Sequence, residues 1–296
     1  MPSIQANGIK IEYKSLGPRT GRPLLLLRGL GTQMIQWEPD FCDQIVAAGH
    51  HLVIFDNRDV GLSTHFHEDS PPDFGELVQS LARKESPRVP YSLSDMARDL
   101  VGLMDALELK TAHIAGISMG GMIVQETAIL YPDRVRSLTS IMSTTGEPDL
   151  PGPTPKAQAA LIAPSPHERT AYVEHSVQTG RAFTGEGFPY DESERRVMAE
   201  RVFDRAFDPQ GIARQMAAVI SARGREAALA RVQVPALVIH GSDDPLIPLA
   251  SGKATARALS GAPLEIIQGM GHDLPRGAWN QIIGALAEHT LRAETR

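Results

Sequence analysis

Short apolar runs alternate with longer segments whose apolar residues fall at helical spacing, and this alternation predicts most of the elements. Residues 3–15 alternate as half-buried strands do, with the hairpin turn Asn7-Gly8 between them, so two antiparallel strands open the chain. Leu24-Leu25-Leu26-Leu27 is a continuous apolar run, the mark of a strand buried on both faces. His51–Phe55, the stretch from Ala112, Val135–Ser143, Val234–His240 and Leu264–Ile267 read as further strands. Helical spacing appears at Trp37–Ala48, after Gly120, near Leu249–Leu259 and from Pro275 to about Leu291, and a helix capped by Ser92 or Ser94 runs to about Leu107. Strands alternating with helices imply βαβ units, hence an α/β fold with a mostly parallel central sheet flanked by helices.

Two stretches break the alternation. Residues 64–90 are polar and contain proline, with a helix possible only over Phe74–Lys84, and read as an excursion over the sheet edge. From Thr145 to about Arg231 no strand pattern occurs. Prolines 148, 151, 153, 155, 164 and 166 break the chain there, and helices are predicted over His167–Arg181, Asp191–Phe207 and Pro209–Ala222. The expected organisation is a core of residues 1–144 and 232–296 with a helical cap, 145–231, inserted between strands 6 and 7.

The 296 residues carry a net charge of −6 with no basic cluster, which argues against nucleic acid or an anionic membrane as partner. Cys42 is the only cysteine, so an intrachain disulfide is excluded and a cytoplasmic location is expected. Neither a signal-peptide core nor an apolar run of membrane-spanning length occurs. The partner expected is a small molecule, and the chain a monomer or homodimer.

The candidate chemistry starts at Ala112–Gln125, where an apolar strand, the turn Gly116-Ile117-Ser118-Met119-Gly120 and a helical segment make the context of a G-x-S-x-G nucleophile elbow. A serine at such a tip takes a strained backbone, and the flanking glycines leave room where strand and helix pass. Its hydroxyl needs a base and an orienting acid. After the strand ending at His240 comes Gly241-Ser242-Asp243-Asp244-Pro245, beyond a strand's carboxyl end where open α/β sheets place their sites. Either aspartate serves on spacing alone, although Asp243 is expected to cap the next helix. After the last strand, Gly269-Met270-Gly271-His272 puts a histidine on a glycine-rich loop, and histidine as a residue type suits a base that later returns its proton. An oxyanion needs two preorganised donors. Met119 N–H follows the nucleophile, and Leu30 N–H lies in Arg28-Gly29-Leu30-Gly31 after the Leu24–Leu27 strand.

In the order Ser118, Asp244, His272, the chain resembles the α/β-hydrolase superfamily over essentially its whole length. The resemblance selects Asp244, in Gly241 to Pro248, over Asp243. Within the superfamily the chain is similar to esterases of the aclacinomycin methylesterase type. That similarity rests on Asp56-Asn57-Arg58-Asp59-Val60-Gly61-Leu62-Ser63-Thr64, Gly187-Phe188-Pro189-Tyr190-Asp191 and Gly269-Met270-Gly271-His272-Asp273-Leu274-Pro275. It implies a serine hydrolase of small to medium carboxylic esters, methyl esters among them, with Ser118, Asp244 and His272 catalytic, Leu30 and Met119 as the oxyanion hole, and neither cofactor nor metal. C–C bond hydrolase, lactonase, perhydrolase and acyltransferase use the same triad, and a non-catalytic binding member of the fold is the alternative of a different class. Where the family often has His-Gly, this chain has Arg28-Gly29. Arg28 is expected either to pair with a carboxylate such as Asp59 or to point into the pocket toward an acidic substrate group.

Other features carry less. His65-Phe66-His67-Glu68-Asp69 lacks metal-ligand spacing. His50 and His51 open a buried strand and read as structural. Gly29-Leu30-Gly31 and Gly116–Gly121 lack the third glycine and downstream acid of a dinucleotide fingerprint. Phe183, Phe188, Tyr190, Met198, Phe203, Phe207 and Met216 are expected mainly in the cap's own core, and Trp37 in packing near the oxyanion loop.

Overall fold

In a computed structural model the described residues are 2–69, 72–222 and 224–295. The two ends of the expected core, 1 and 296, residues 70 and 71 of the polar excursion, and residue 223 of the helical stretch lie outside them. The strands among the described residues are β1 (Ser3–Ala6), β2 (Ile9–Leu16), β3 (Arg22–Leu27), β4 (His50–Phe55), β5 (Ala112–Ile117), β6 (Val135–Ile141), β7 (Ala236–Gly241) and β8 (Leu264–Ile267). They form one sheet in the order β1-β2-β4-β3-β5-β6-β7-β8. β1 and β2 make the antiparallel hairpin read from Asn7-Gly8, β2 joins β4 antiparallel, and the remaining pairs are parallel.

The helices are α1 (Pro39–Ala47), α2 (Phe74–Ala82), α3 (Leu93–Ala106), α4 (Met119–Leu130), α5 (Pro155–Ile162), α6 (Arg169–Phe183), α7 (Glu192–Arg205), α8 (Pro209–Ser221), α9 (Glu226–Leu229), α10 (Leu249–Ala258) and α11 (Trp279–Ala293). They cover both faces, and this is why the central strands read as unbroken apolar runs. Along β3 and β4 alternate residues serve different layers. Leu25, Leu27, Val53 and Phe55 pack with Leu93, Met96, Leu100 and Ile123 of α3 and α4. Leu24, Leu26, Leu52 and Ile54 pack with Phe41, Ile45, Trp279, Ile282 and Leu286 of α1 and α11.

Several boundaries differ from the sequence reading. Ser92, not Ser94, caps α3, its hydroxyl accepting from Asp95 N–H at 3.3 Å. Met34–Gln36 forms a 3-10 turn, and α1 starts at Pro39 instead of Trp37. A second such turn, Arg276–Ala278, delays α11 to Trp279. The proline-rich stretch contains a helix, α5, because Pro155 is its first residue, where a missing N–H costs nothing, and Thr154 caps it. The four-residue α9 is too short for sequence periodicity to show. Between β6 and β7 the described residues hold only helices, α5 to α9. No helix among the described residues is long and apolar enough to cross a membrane.

Candidate active site

The close meeting of β5 and α4 produces the elbow. A Cβ on Gly116 would lie 2.2 Å from Gly120 O, one on Gly120 2.6 Å from Leu27 O, and one on Gly121 2.5 Å from Ser143 Cβ. Only glycine fits these three places. Ser118, at the tip, has φ 55° and ψ −122°, a conformation that costs about 1–3 kcal/mol and persists only where the surroundings impose it. Here they do: Ser118 N–H donates to Ile141 O at 3.0 Å, and Ser143 Oγ donates to Ser118 O at 2.8 Å.

Three residues from three strand ends converge at this tip. His272 Nε2 lies 2.9 Å from Ser118 Oγ, and His272 Nδ1 lies 2.8 Å from Asp244 Oδ2. Asp244 is buried, and its Oδ1 accepts Leu246 N–H at 2.9 Å and Ile247 N–H at 2.8 Å. With Nδ1–H donated to Asp244, Nε2 is left to accept the serine hydroxyl. His240 sits beside Asp244, and burial holds its pKa below the usual histidine range. Asp243 does not cap α10, whose N-cap is Pro248. It accepts from Ser242 Oγ at 2.7 Å and from Glu186 N–H at 3.4 Å.

The loop after β3 packs against the same tip: a Cβ on Gly29 would be 3.1 Å from Ser118 Cβ. Leu30 and Met119 both line the cavity above Ser118. This loop is held by residues that the sequence did not reveal. Gly31 N–H donates to Gln215 Oε1 on α8 at 2.9 Å, and Gln33 Nε2 donates to Val202 O and Ala206 O at the end of α7. Asp56 accepts Met34 N–H at 2.8 Å, Leu62 N–H at 3.0 Å and Arg205 Nη2 at 2.6 Å. The Asp56-Asn57-Arg58-Asp59 motif is therefore a brace. Asp59 is fully buried and accepts from Arg214 at 2.9 and 2.8 Å, from Tyr91 Oη at 2.6 Å and from Phe66 N–H at 2.8 Å. The expected pairing of Arg28 with Asp59 does not occur, because Arg214 takes that carboxylate.

The histidine loop is braced from the other side. His272 N–H donates to Phe183 O at 2.7 Å and Gly187 N–H to Gly269 O at 2.9 Å. These two loops touch backbone to backbone, since a Cβ on Gly271 would be 2.2 Å from Gly185 N.

A cavity of about 1210 Å³ lies over Ser118, between the strand ends and helices α6 to α8. Phe183, Tyr190, Met198 and Met216 line it, contrary to the expectation that they serve mainly as core, whereas Phe203 and Phe207 form an aromatic cluster with Tyr172. Arg28 and Asp273 also line it. Burial raises the Asp273 pKa to about 6, and burial, with Arg195 nearby, lowers that of Arg28 to about 9.

His65, His67 and Asp208 offer ligand atoms within 4.8 Å of one another. Each is otherwise engaged or exposed: His65 Nδ1 lies 2.6 Å from Asp208 Oδ2, its Nε2 lies 3.0 Å from Gly61 O, and Arg214 approaches the same Asp208 oxygen at 3.4 Å. A guanidinium there opposes a second cation, so the group reads as a tie between residue 65 and the cap of α8. His50 bonds Ile45 O and Thr290, and His51 bonds Ser15, as structural residues do.

Comparison with known proteins places residues 22–275 in a match to the family described as the alpha/beta hydrolase fold. The chain is 27% identical over 311 residues to "Rhodomycin D methylesterase DauP" of Streptomyces sp. (strain C5), covering 98% of each. It is 27% identical over 311 residues to "Rhodomycin D methylesterase DnrP" of Streptomyces peucetius, again covering 98% of each. Among solved structures, the enol-lactonase from Burkholderia xenovorans LB400 superposes with a TM-score of 0.66 at 24% identity over 100% of both chains, a likeness of fold.

Proposed function

The chain belongs to the α/β-hydrolase fold family and is a carboxylic ester hydrolase, and we propose that it works through Ser118, His272 and Asp244 by way of an acyl-enzyme. The observation that carries this reading is the unbroken series of hydrogen bonds from Ser118 Oγ through His272 to Asp244. Ser118 Oγ attacks the ester carbonyl as its proton passes to His272 Nε2, and Asp244 stabilises the imidazolium through Nδ1–H. The Leu30 and Met119 amides receive the oxyanion, aided by the N-terminus of α4. His272 then protonates the leaving alkoxide. Water, deprotonated by the same nitrogen, releases the acid and restores Ser118.

In this reading residues 145–231 form a cap over the core of 1–144 and 232–296, and its apolar wall of Phe183, Tyr190, Met198 and Met216 selects small to medium esters. The two relatives named as methylesterases support methyl esters within that class. Every step is supplied by side chains and backbone amides. The single cysteine, Cys42, is buried, which suits a reducing compartment, and we take the cytoplasm as the place of work. The test is a panel of methyl and p-nitrophenyl esters together with a fluorophosphonate probe. Ser118→Ala is expected to abolish labelling and to cut kcat by about 10³-fold or more. A wild-type protein that neither labels at Ser118 nor turns over any ester refutes the reading.

A further inference from the structure

Building on that reading of the site, we propose that Arg28 forms an anion-binding subsite beside the oxyanion loop, so that the preferred substrates are esters carrying a carboxylate, such as half-esters of dicarboxylic acids. Three observations converge on it. The Arg28 guanidinium lies over the Trp37 ring, 4.7 Å from its centroid, and both residues line the cavity that holds Ser118. Among the described residues no carboxylate pairs with Arg28: Asp59 belongs to Arg214, and the neighbouring Glu38 is held by Arg276. Finally, Arg28 Nε and Trp37 Nε1 are both buried and have no hydrogen-bond partner among the described residues, and Trp37 is only 3% exposed.

Guanidinium and indole N–H are donors only, so what both lack is an acceptor. Keeping these two buried N–H groups without an acceptor is costly, and a ligand that supplies one removes that cost. Arg195, on α7, also lines the cavity. It spends its Nε on Ser176 O at 3.2 Å and has no ion pair among the described residues, so it adds a second positive charge near Arg28. An anion between the two relieves their repulsion. A planar carboxylate suits Arg28 best, because it accepts two parallel N–H bonds along an edge of the guanidinium while a face stays on the indole. Arg28 belongs to the loop that carries Leu30 and lines the same cavity as Ser118, so one substrate can offer a carboxylate to the first and an ester carbonyl to the second.

The experiment compares kcat/KM for monomethyl and dimethyl esters of succinic, glutaric and adipic acids at neutral pH. At least one half-ester is expected to exceed its diester by roughly tenfold to a hundredfold, the range of a desolvated charge-assisted contact. Arg28→Met should erase that ratio, and Arg28→Lys should keep part of it. A ratio at or below one in the wild type, or one that survives in Arg28→Met, overturns the proposal. Calorimetric titration of Ser118→Ala with glutarate tests the subsite apart from turnover: binding that disappears in Ser118→Ala/Arg28→Met supports it, and absence of binding overturns it. Fluorophosphonate labelling separates the two failures. A labelled enzyme active on diesters without half-ester preference refutes the subsite alone, and an unlabelled one refutes the serine-hydrolase reading and leaves the titration to decide the subsite.

Discussion

Replacing Gly185 by alanine tests how closely the helices between β6 and β7 control the histidine. The backbone at Gly185 has no positive φ, so alanine is conformationally acceptable there. The obstacle is contact. An added Cβ would lie 2.4 Å from Gly269 O, 2.6 Å from Gly271 N and 2.8 Å from Met270 C. All three are backbone atoms, so no side chain can swing aside, and ordinary contact requires the two loops to part by about 1 Å. His272 N–H is tied to Phe183 O at 2.7 Å on the same pair of loops. Moving them apart by that amount carries Nε2 from 2.9 Å to about 3.9 Å from Ser118 Oγ, past hydrogen-bonding range. A displacement of about 1 Å in a reacting group costs about 10²-fold, or about 2.7 kcal/mol of transition-state stabilisation. The assay is kcat and KM on a neutral p-nitrophenyl ester, with the fluorophosphonate labelling rate and a thermal melt in parallel. The loss should fall on kcat and labelling while the melt moves little. Gly284→Ala, where an added Cβ meets nothing within 4 Å, is the control and should leave activity alone while gaining up to about 1 kcal/mol in α11. Activity of Gly185→Ala within threefold of wild type would falsify the reasoning, because the loops would then have yielded without moving the imidazole.

Three further outcomes follow from the braces around the site. Arg214→Met strands the fully buried Asp59 charge and should cost about 3–5 kcal/mol in urea unfolding, whereas Asp59→Asn/Arg214→Met, which removes both charges, should recover part of that; a single-variant cost below about 1 kcal/mol contradicts it. Gln215→Leu frees Gly31 N–H and should lower kcat about tenfold with KM nearly constant, so a change confined to KM argues against a role in holding the oxyanion loop. Asp273, whose pKa burial raises from 3.8 to about 6, costs the fold stability as pH climbs through that interval, because the native carboxyl must ionise while buried and the unfolded one ionises in water. The full difference is about 3 kcal/mol, and partial solvent contact reduces it to about 1–2 kcal/mol. Asp273→Asn should therefore be more stable than wild type above pH 6, with the gap closing toward pH 4, and a gap independent of pH in urea titrations contradicts it.

The elements that the sequence revealed are those whose local pattern and tertiary role agree. Leu24–Leu27 and His51–Phe55 read as buried strands because both faces of the sheet are covered. Ser118, the pair Asp243-Asp244 and His272 are legible because each lies just past a strand, the choice of Asp244 coming from the family resemblance and not from spacing. What stayed hidden depends on distance along the chain. Gln215, Gln33 and Arg205 carry no pattern of their own, and their meaning comes from partners such as Gly31 and Asp56, which are remote in sequence. Asp56 and Asp59 were visible as a motif, but their work as acceptors for Arg205 and Arg214 was not. The divided loyalty of the aromatic residues has the same origin. Phe183 and Phe207 look alike in sequence, and only the packing of α6 against α7 decides that the first faces the cavity and the second faces Tyr172.

The same facts show why the site is the joint product of the sheet and the inserted helices. Strand ends put Ser118, Asp244 and His272 within reach of one another, but reach alone leaves loops free by more than chemistry tolerates. The remaining freedom is removed from above. Gln215 holds the loop after β3, Phe183 O holds the backbone of His272, and Gly187 N–H holds Gly269. These ties come from α6, α8 and the turn before α7, and Asp59–Arg214 and Asp56–Arg205 fasten α8 and α7 to the core by buried or nearly buried ion pairs. A pair of that kind adds little to net stability, yet it leaves few alternative dockings for the helices that bear it. The polar contacts around Asp56 and Asp59 therefore contribute register more than strength, and the register they set is that of the loop after β3 over the serine.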